Sequence, residues 1–203
     1  MTTPTTTPKK ANPLLRIFLI ICALIIFAGG IAKIYKGWHE TRSVAGDAEF
    51  KPLLEENDKA IGEANKLSQE AQPMFQTLLN DIDKLGLDQV RAKESDTAQK
   101  LDDLFGKAAD EFRHAVKTSE AAGQHNADAT MKAFLAMKAK SYTLFAQARD
   151  TNREIIHLIL DKSIVKIDDL LPKLQEAAGR RDDAQKKAMD ADAEAEAMAK
   201  KSK

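Results

Sequence analysis

Residues 50–85, FKPLLEENDKAIGEANKLSQEAQPMFQTLLNDIDKL, decide the fold. Phe50, Leu54, Asn57, Ile61, Ala64, Ser68, Ala71, Phe75, Leu78, Ile82 and Leu85 recur at alternating steps of four and three without a slip. That spacing holds one seam of an α-helix against a partner helix and predicts coiled-coil-like packing. The polar seam members, Asn57 and Ser68, cost some stability but pin the register. Pro52 falls in the first turn, where a missing N–H is tolerated, whereas Pro73 lies inside and is expected to kink the helix.

The pattern continues outward in both sequence and length. LGLD, residues 85–88, reads as a boundary, with Gly86 suited to a left-handed turn and Asp88 placed to cap the next helix. A second seam follows in Glu94, Ala98, Leu101, Phe105, Ala108, Phe112, Ala115, Ser119 and Ala122. Gly123 is expected to end it, and Asn126 or Asp128 to cap a third helix carrying Met131, Phe134, Leu135, Phe145, Ala148, Ile155 and Ile159. Short connections of this kind make neighbouring helices antiparallel. With arms of roughly equal length, the third helix ends between residues 161 and 166. A fourth seam then runs through Ile167, Leu170, Leu174, Ala177, Arg181, Ala184, Ala188, Ala191, Ala195 and Met198. No Gly or Pro marks that last turn, so the alternative is a three-helix bundle whose third helix runs straight on, bent at Pro172.

Composition agrees with an all-α chain: charged residues make up 31% and aromatics 5%, as in long solvated helices rather than sheets. The formal net charge of zero hides an asymmetry. Residues 1–39 hold Lys9, Lys10, Arg16, Lys33 and Lys36 and no acid, hence +5, so residues 40–203 carry −5. A mildly acidic bundle with interspersed signs has no basic face with which to neutralise phosphates, which argues against nucleic acid as a partner.

The N-terminal region holds a different kind of helix. Residues 17–32, IFLIICALIIFAGGIA, are uncharged, and Leu14, Leu15, Ile34 and Tyr35 extend the apolar pattern past Arg16 and Lys33. About 22 residues at ~1.5 Å each span roughly 33 Å, enough to cross a hydrocarbon core of about 30 Å. Flanking cations together with Tyr35 and Trp38 are the anchors expected at a membrane interface. The competing reading is a secretory signal cut after the small residues Gly30 and Ala32. The single cysteine, Cys22, lies inside the run after Ile21, which fits neither a disulfide nor a lipidation signal. The expected organisation is therefore a disordered cytoplasmic tail (1–12), a transmembrane signal-anchor helix (13–38), a linker (39–46), a helical bundle (47–178) and an Ala-, Lys- and Glu-rich C-terminal helix free to fray (179–203). Four helices in the bundle are favoured over three.

Candidate chemistry is sparse. Glu111 and His114, and Glu154 and His157, form Glu-x-x-His pairs of the kind that hold metals in helical bundles. In the antiparallel scheme the two pairs lie about 34 Å apart along the axis, too far for one centre. No nucleophile has a histidine and carboxylate at a recognisable spacing, and no glycine-rich phosphate loop is present. The expectation is a non-enzymatic protein with no cofactor, no metal and no catalytic residue. It is bound to the lipid bilayer through residues 13–38, with the bundle outside the cytoplasm, and acts as a scaffold or interaction module for a protein partner or for a second copy of itself. An extracytoplasmic ligand-binding or sensory bundle, released by signal cleavage, is the alternative. Where the apolar stripe broadens, Ile156, Leu160, Ile164 and Val165 are the candidate partner contacts, with burial under the fourth helix as the competing reading.

Overall fold

The computed structural model describes residues 50–125 and 129–201, and the tail, anchor and linker expected within residues 1–46 lie outside the described residues. All regular structure within them is helical: α1 Phe50–Leu85, α2 Leu87–Lys93, α3 Ser95–His125, α4 Ala129–Leu160 and α5 Ile167–Lys201. Four of these helices are long and form an up-and-down bundle, with close backbone approach running from α1 to α3, α3 to α4 and α4 to α5. The remaining side, between α1 and α5, is the wide one. At ~1.5 Å per residue α1 is about 54 Å long.

The seams face inward. Phe50, Leu54, Asn57, Ile61, Ala64, Ala71, Phe75, Leu78 and Ile82 are all buried on α1. Ala98, Leu101, Phe105, Ala108, Phe112, Ala115, Ser119 and Ala122 are buried on α3. One end of the bundle collects Phe50, Leu54, Met131, Phe134, Leu135, Ala195 and Ala199. The other collects Phe75, Leu78, Ile82, Val90, Leu101, Phe105, Ile156, Ile159 and Leu170. Each buried large apolar side chain contributes about 1.5–3 kcal/mol, so the bundle rests mainly on these clusters.

The boundary at residues 85–88 differs in detail from its sequence reading. Gly86 takes φ of +81°, a left-handed conformation that glycine adopts without strain, and its N–H bonds to the Ile82 carbonyl at 3.1 Å. Asp88 does not cap the next helix. It sits exposed inside the first turn of α2, whose N-cap position is Gly86 itself. Leu87 and Val90 turn α2 into a lid on the apolar end, and the chain re-enters the helix at Ser95 with Ala98 N–H bonded to the Glu94 carbonyl.

The last turn settles four helices against three. Residues 161–166 reverse the chain without Gly or Pro. The Asp161 carboxylate accepts the Ser163 N–H at 2.9 Å, and the Ile164 N–H bonds to the Asp161 carbonyl at 3.1 Å, a side-chain-supported turn of the kind Asp and Ser favour. Arg91 completes it: Nε donates to the Ile159 carbonyl at 2.8 Å and Nη2 to the Asp161 carbonyl at 2.7 Å, placing a cation on the carbonyl end of α4. α5 then runs through Pro172, as α1 runs through Pro73. No helix boundary falls at residue 179. The segment expected to fray there is the second half of α5, buried along Ala184, Ala188, Ala191, Ala195 and Ala199 because its small side chains admit close packing.

Candidate functional site

The candidate contacts separate on folding. Ile156 is completely buried and Ile164 nearly so, both in the apolar end cluster, because α5 folds back over them. Leu160 is half-buried against the same cluster. Ile156 and Ile164 are core and Leu160 packs against it, so of the expected four-residue surface Val165 is the exposed member, at 72%, and is the exposed large hydrophobic side chain among the described residues. It stands at the tip of the α4–α5 turn, the end of the bundle opposite Phe50.

Beside this tip lies a shallow groove of about 540 Å³ lined by Asp150, Arg153, Glu154, His157, Leu158 and Asp161. Its charges are largely spoken for. Arg153 grips Asp102 with both Nε and Nη2, at 2.9 and 3.0 Å, and His157 Nε2 lies 2.9 Å from the same carboxylate. The Arg153 hydrogen bond, with help from His157, holds the Asp102 carboxyl below its ordinary range, and the same bond makes Arg153 harder to deprotonate. Glu154 pairs with Arg180, Asp150 with Arg113, and Ser163 holds the Asp161 carboxyl low through its hydroxyl and N–H.

The two Glu-x-x-His pairs face different neighbours. His114 Nε2 lies 2.9 Å from Glu56 on α1, while His157 reaches Asp102 on α3. Among the described residues no group of three or more His, Cys, Asp or Glu side chains converges as a metal centre would.

The polar side chains inside the bundle include Asn57 and Arg181, which the seams placed there, and Lys138, Ser141, Arg149, Asn152 and Asp192, which the sequence reading did not single out. Asn57 is 2% exposed and its amide nitrogen reaches the Ala115 carbonyl at 2.6 Å and the Thr118 and Ser119 hydroxyls at 2.8 Å. Lys138 and Asp192 form a buried ion pair at 2.5 Å, and Ser141 donates to the Ala188 carbonyl at 2.9 Å. Arg149, Asn152 and Arg181 occupy the middle of the bundle. The signal for most of them was present. Continuing the α4 seam by threes and fours from Phe134 gives Lys138, Ser141, Phe145, Ala148, Asn152, Ile155 and Ile159, and every one of these is buried.

No family model matches the chain, and neither the curated proteins nor the solved structures yield a match. What the fold defines is an all-α antiparallel bundle with polar side chains set into its seams.

Proposed function

We propose that the chain is a non-enzymatic, membrane-tethered helical bundle that serves as a scaffold or partner-interaction module. Residues 13–38 act as a single-pass signal anchor, with the N-terminus in the cytoplasm and the bundle on the other side. The observation that carries this reading is the uncharged run of residues 17–32, bracketed by Arg16, Lys33, Tyr35 and Trp38, ahead of a bundle that uses its own apolar residues internally. No helix among the described residues is long and apolar enough to cross a membrane, which leaves that run as the segment suited to the task. A bundle about 54 Å long carries the α4–α5 turn well away from its Phe50 end, and Val165 is the side chain there with apolar surface to offer.

The partner function is tested by placing a photo-crosslinking amino acid at Val165 in the full chain in its native cell, with Lys117 on the exposed flank of α3 as the control. A discrete adduct from position 165 and none from position 117 is the expected result. Absence of any adduct at position 165, or equal labelling at both, would remove the turn from the proposal.

A further inference from the structure

One of the polar interruptions of the apolar interior lies near mid-length. The end cluster containing Phe75 and Phe105 reaches Ala71, Ile155 and Ala177, and the next cluster begins at Ala64, Ala109, Ala146 and Ala188. Between them lie Ser68 on α1, Arg149 and Asn152 on α4, and Arg181 on α5, with Gln72 just beyond Ala71 on α1. Arg149 crosses the bundle: its Nε donates to Ser68 Oγ at 2.8 Å, and its guanidinium carbon stands 5.9 Å from the Phe112 ring centre. Ser68 Oγ gives its own proton to the Ala64 carbonyl at 2.7 Å, so it meets Arg149 as an acceptor.

The charges in this layer do not balance. Arg181, 4% exposed, spends Nε and Nη2 on Asp182. Arg149 has no carboxylate partner among the described residues, and burial followed by the Arg181 charge pulls its pKa down to about 10, so it stays a cation at neutral pH. Two guanidiniums face one carboxylate. One turn further on, the Gln72 side-chain nitrogen is buried without an acceptor and the Asn152 side-chain oxygen without a donor. Asn152 is itself 5% exposed. Buried polar groups left in this state are rare and destabilising unless something satisfies them.

We propose that this layer is a binding site for a small oxyanion that keeps a proton at neutral pH, the chemistry of inorganic phosphate. The oxygens accept from Arg149 and Gln72, the anion's charge offsets the unpaired guanidinium, and its remaining hydroxyl donates to Asn152 Oδ1. Entry is from the wide α1–α5 side, and Arg149 and Gln72 both keep part of their surface accessible. The site goes beyond the tethering function and stands independently of it.

Isothermal titration of inorganic phosphate into the full-length chain in detergent tests the site, with sulfate at matched ionic strength as the comparison anion. A saturable one-to-one heat is expected, together with a melting temperature raised by a few degrees at saturation. Sulfate, lacking the proton, binds about tenfold more weakly. Arg149→Met abolishes the heat while helicity is retained. Gln72→Met, at a partly exposed position where folding is not at stake, weakens binding about tenfold. Absence of a saturable heat, the same heat in Arg149→Met, unchanged affinity in Gln72→Met, or sulfate binding as tightly as phosphate would each overturn the assignment.

Discussion

The two halves of the bundle share one heptad seam but fill it differently. Towards the α4–α5 turn the seam holds Phe75, Leu78, Ile82, Leu101, Phe105, Ile159 and Leu170, with Phe75 and Phe105 in an edge-to-face contact at 5.4 Å. Towards Phe50 the apolar side chains Phe50, Leu54, Met131, Phe134 and Leu135 are interleaved with buried Asn57, Ser119, Lys138, Ser141 and Asp192 and with a row of alanines on α5. The first half draws on apolar area, which is non-directional and tolerates modest repacking. The second adds to its apolar area the close approach of α5 to its neighbour and hydrogen bonds satisfied in one register only. Tightness in the first half and register in the second are separate properties, and they respond to different substitutions.

The sharpest break is at the buried pair. Lys138→Met alone leaves Asp192 buried without its cation and is expected to destabilise by about 3–5 kcal/mol, whereas Lys138→Met with Asp192→Leu is neutral or stabilising by about 1–4 kcal/mol. Urea unfolding of the two variants checks this, and a double variant as unstable as the single one would show that Lys138 matters for more than its pairing. In the apolar half no such rescue exists. Phe75→Ala should lower stability by about 3–5 kcal/mol through lost burial and a residual cavity, read as a lower urea midpoint.

A smaller effect belongs to the junction between lid and turn. Arg91→Ala removes two charge-assisted hydrogen bonds to the end of α4 and should cost about 1.5–3 kcal/mol. Hydrogen exchange should localise the loss to α2 and residues 159–164 rather than to the Phe50 end. The smallest effect is acid sensitivity at Asp102. Its folded pKa lies below the ordinary 3.8, so the stability it confers is fully present above that value and is lost as pH falls through the folded pKa. The urea midpoint of wild type should therefore fall below about pH 4, and Asp102→Asn should lack that part of the fall.

Much of the architecture was legible in the sequence because heptad spacing is a direct image of which helix face is buried. The α1, α3 and α5 seams, Arg181 included, lie where the spacing puts them except at two ends: Glu94 precedes α3, and Ala199 rather than Met198 is buried near the end of α5; the fourth arm begins at Ile167 as the arm lengths require. Less legible were features that depend on a distant partner. The turn at residues 161–166 has no breaker and is held by Arg91, some seventy positions earlier in the chain. Asp192 lies off the α5 seam and reads as a surface anion until Lys138 is brought beside it. The apolar look of Ile156 and Ile164 fits core and contact surface equally well, and only the return of α5 over them decides for core.

Membrane tethering is tested most directly by alkaline carbonate extraction of membranes from cells making the full chain, with N-terminal sequencing of the extracted protein. The expected result is a chain that stays in the membrane pellet with residues 1–38 intact, and that moves to the supernatant when those residues are deleted. A soluble protein beginning at Lys33 would contradict the tether and leave a free helical bundle in its place.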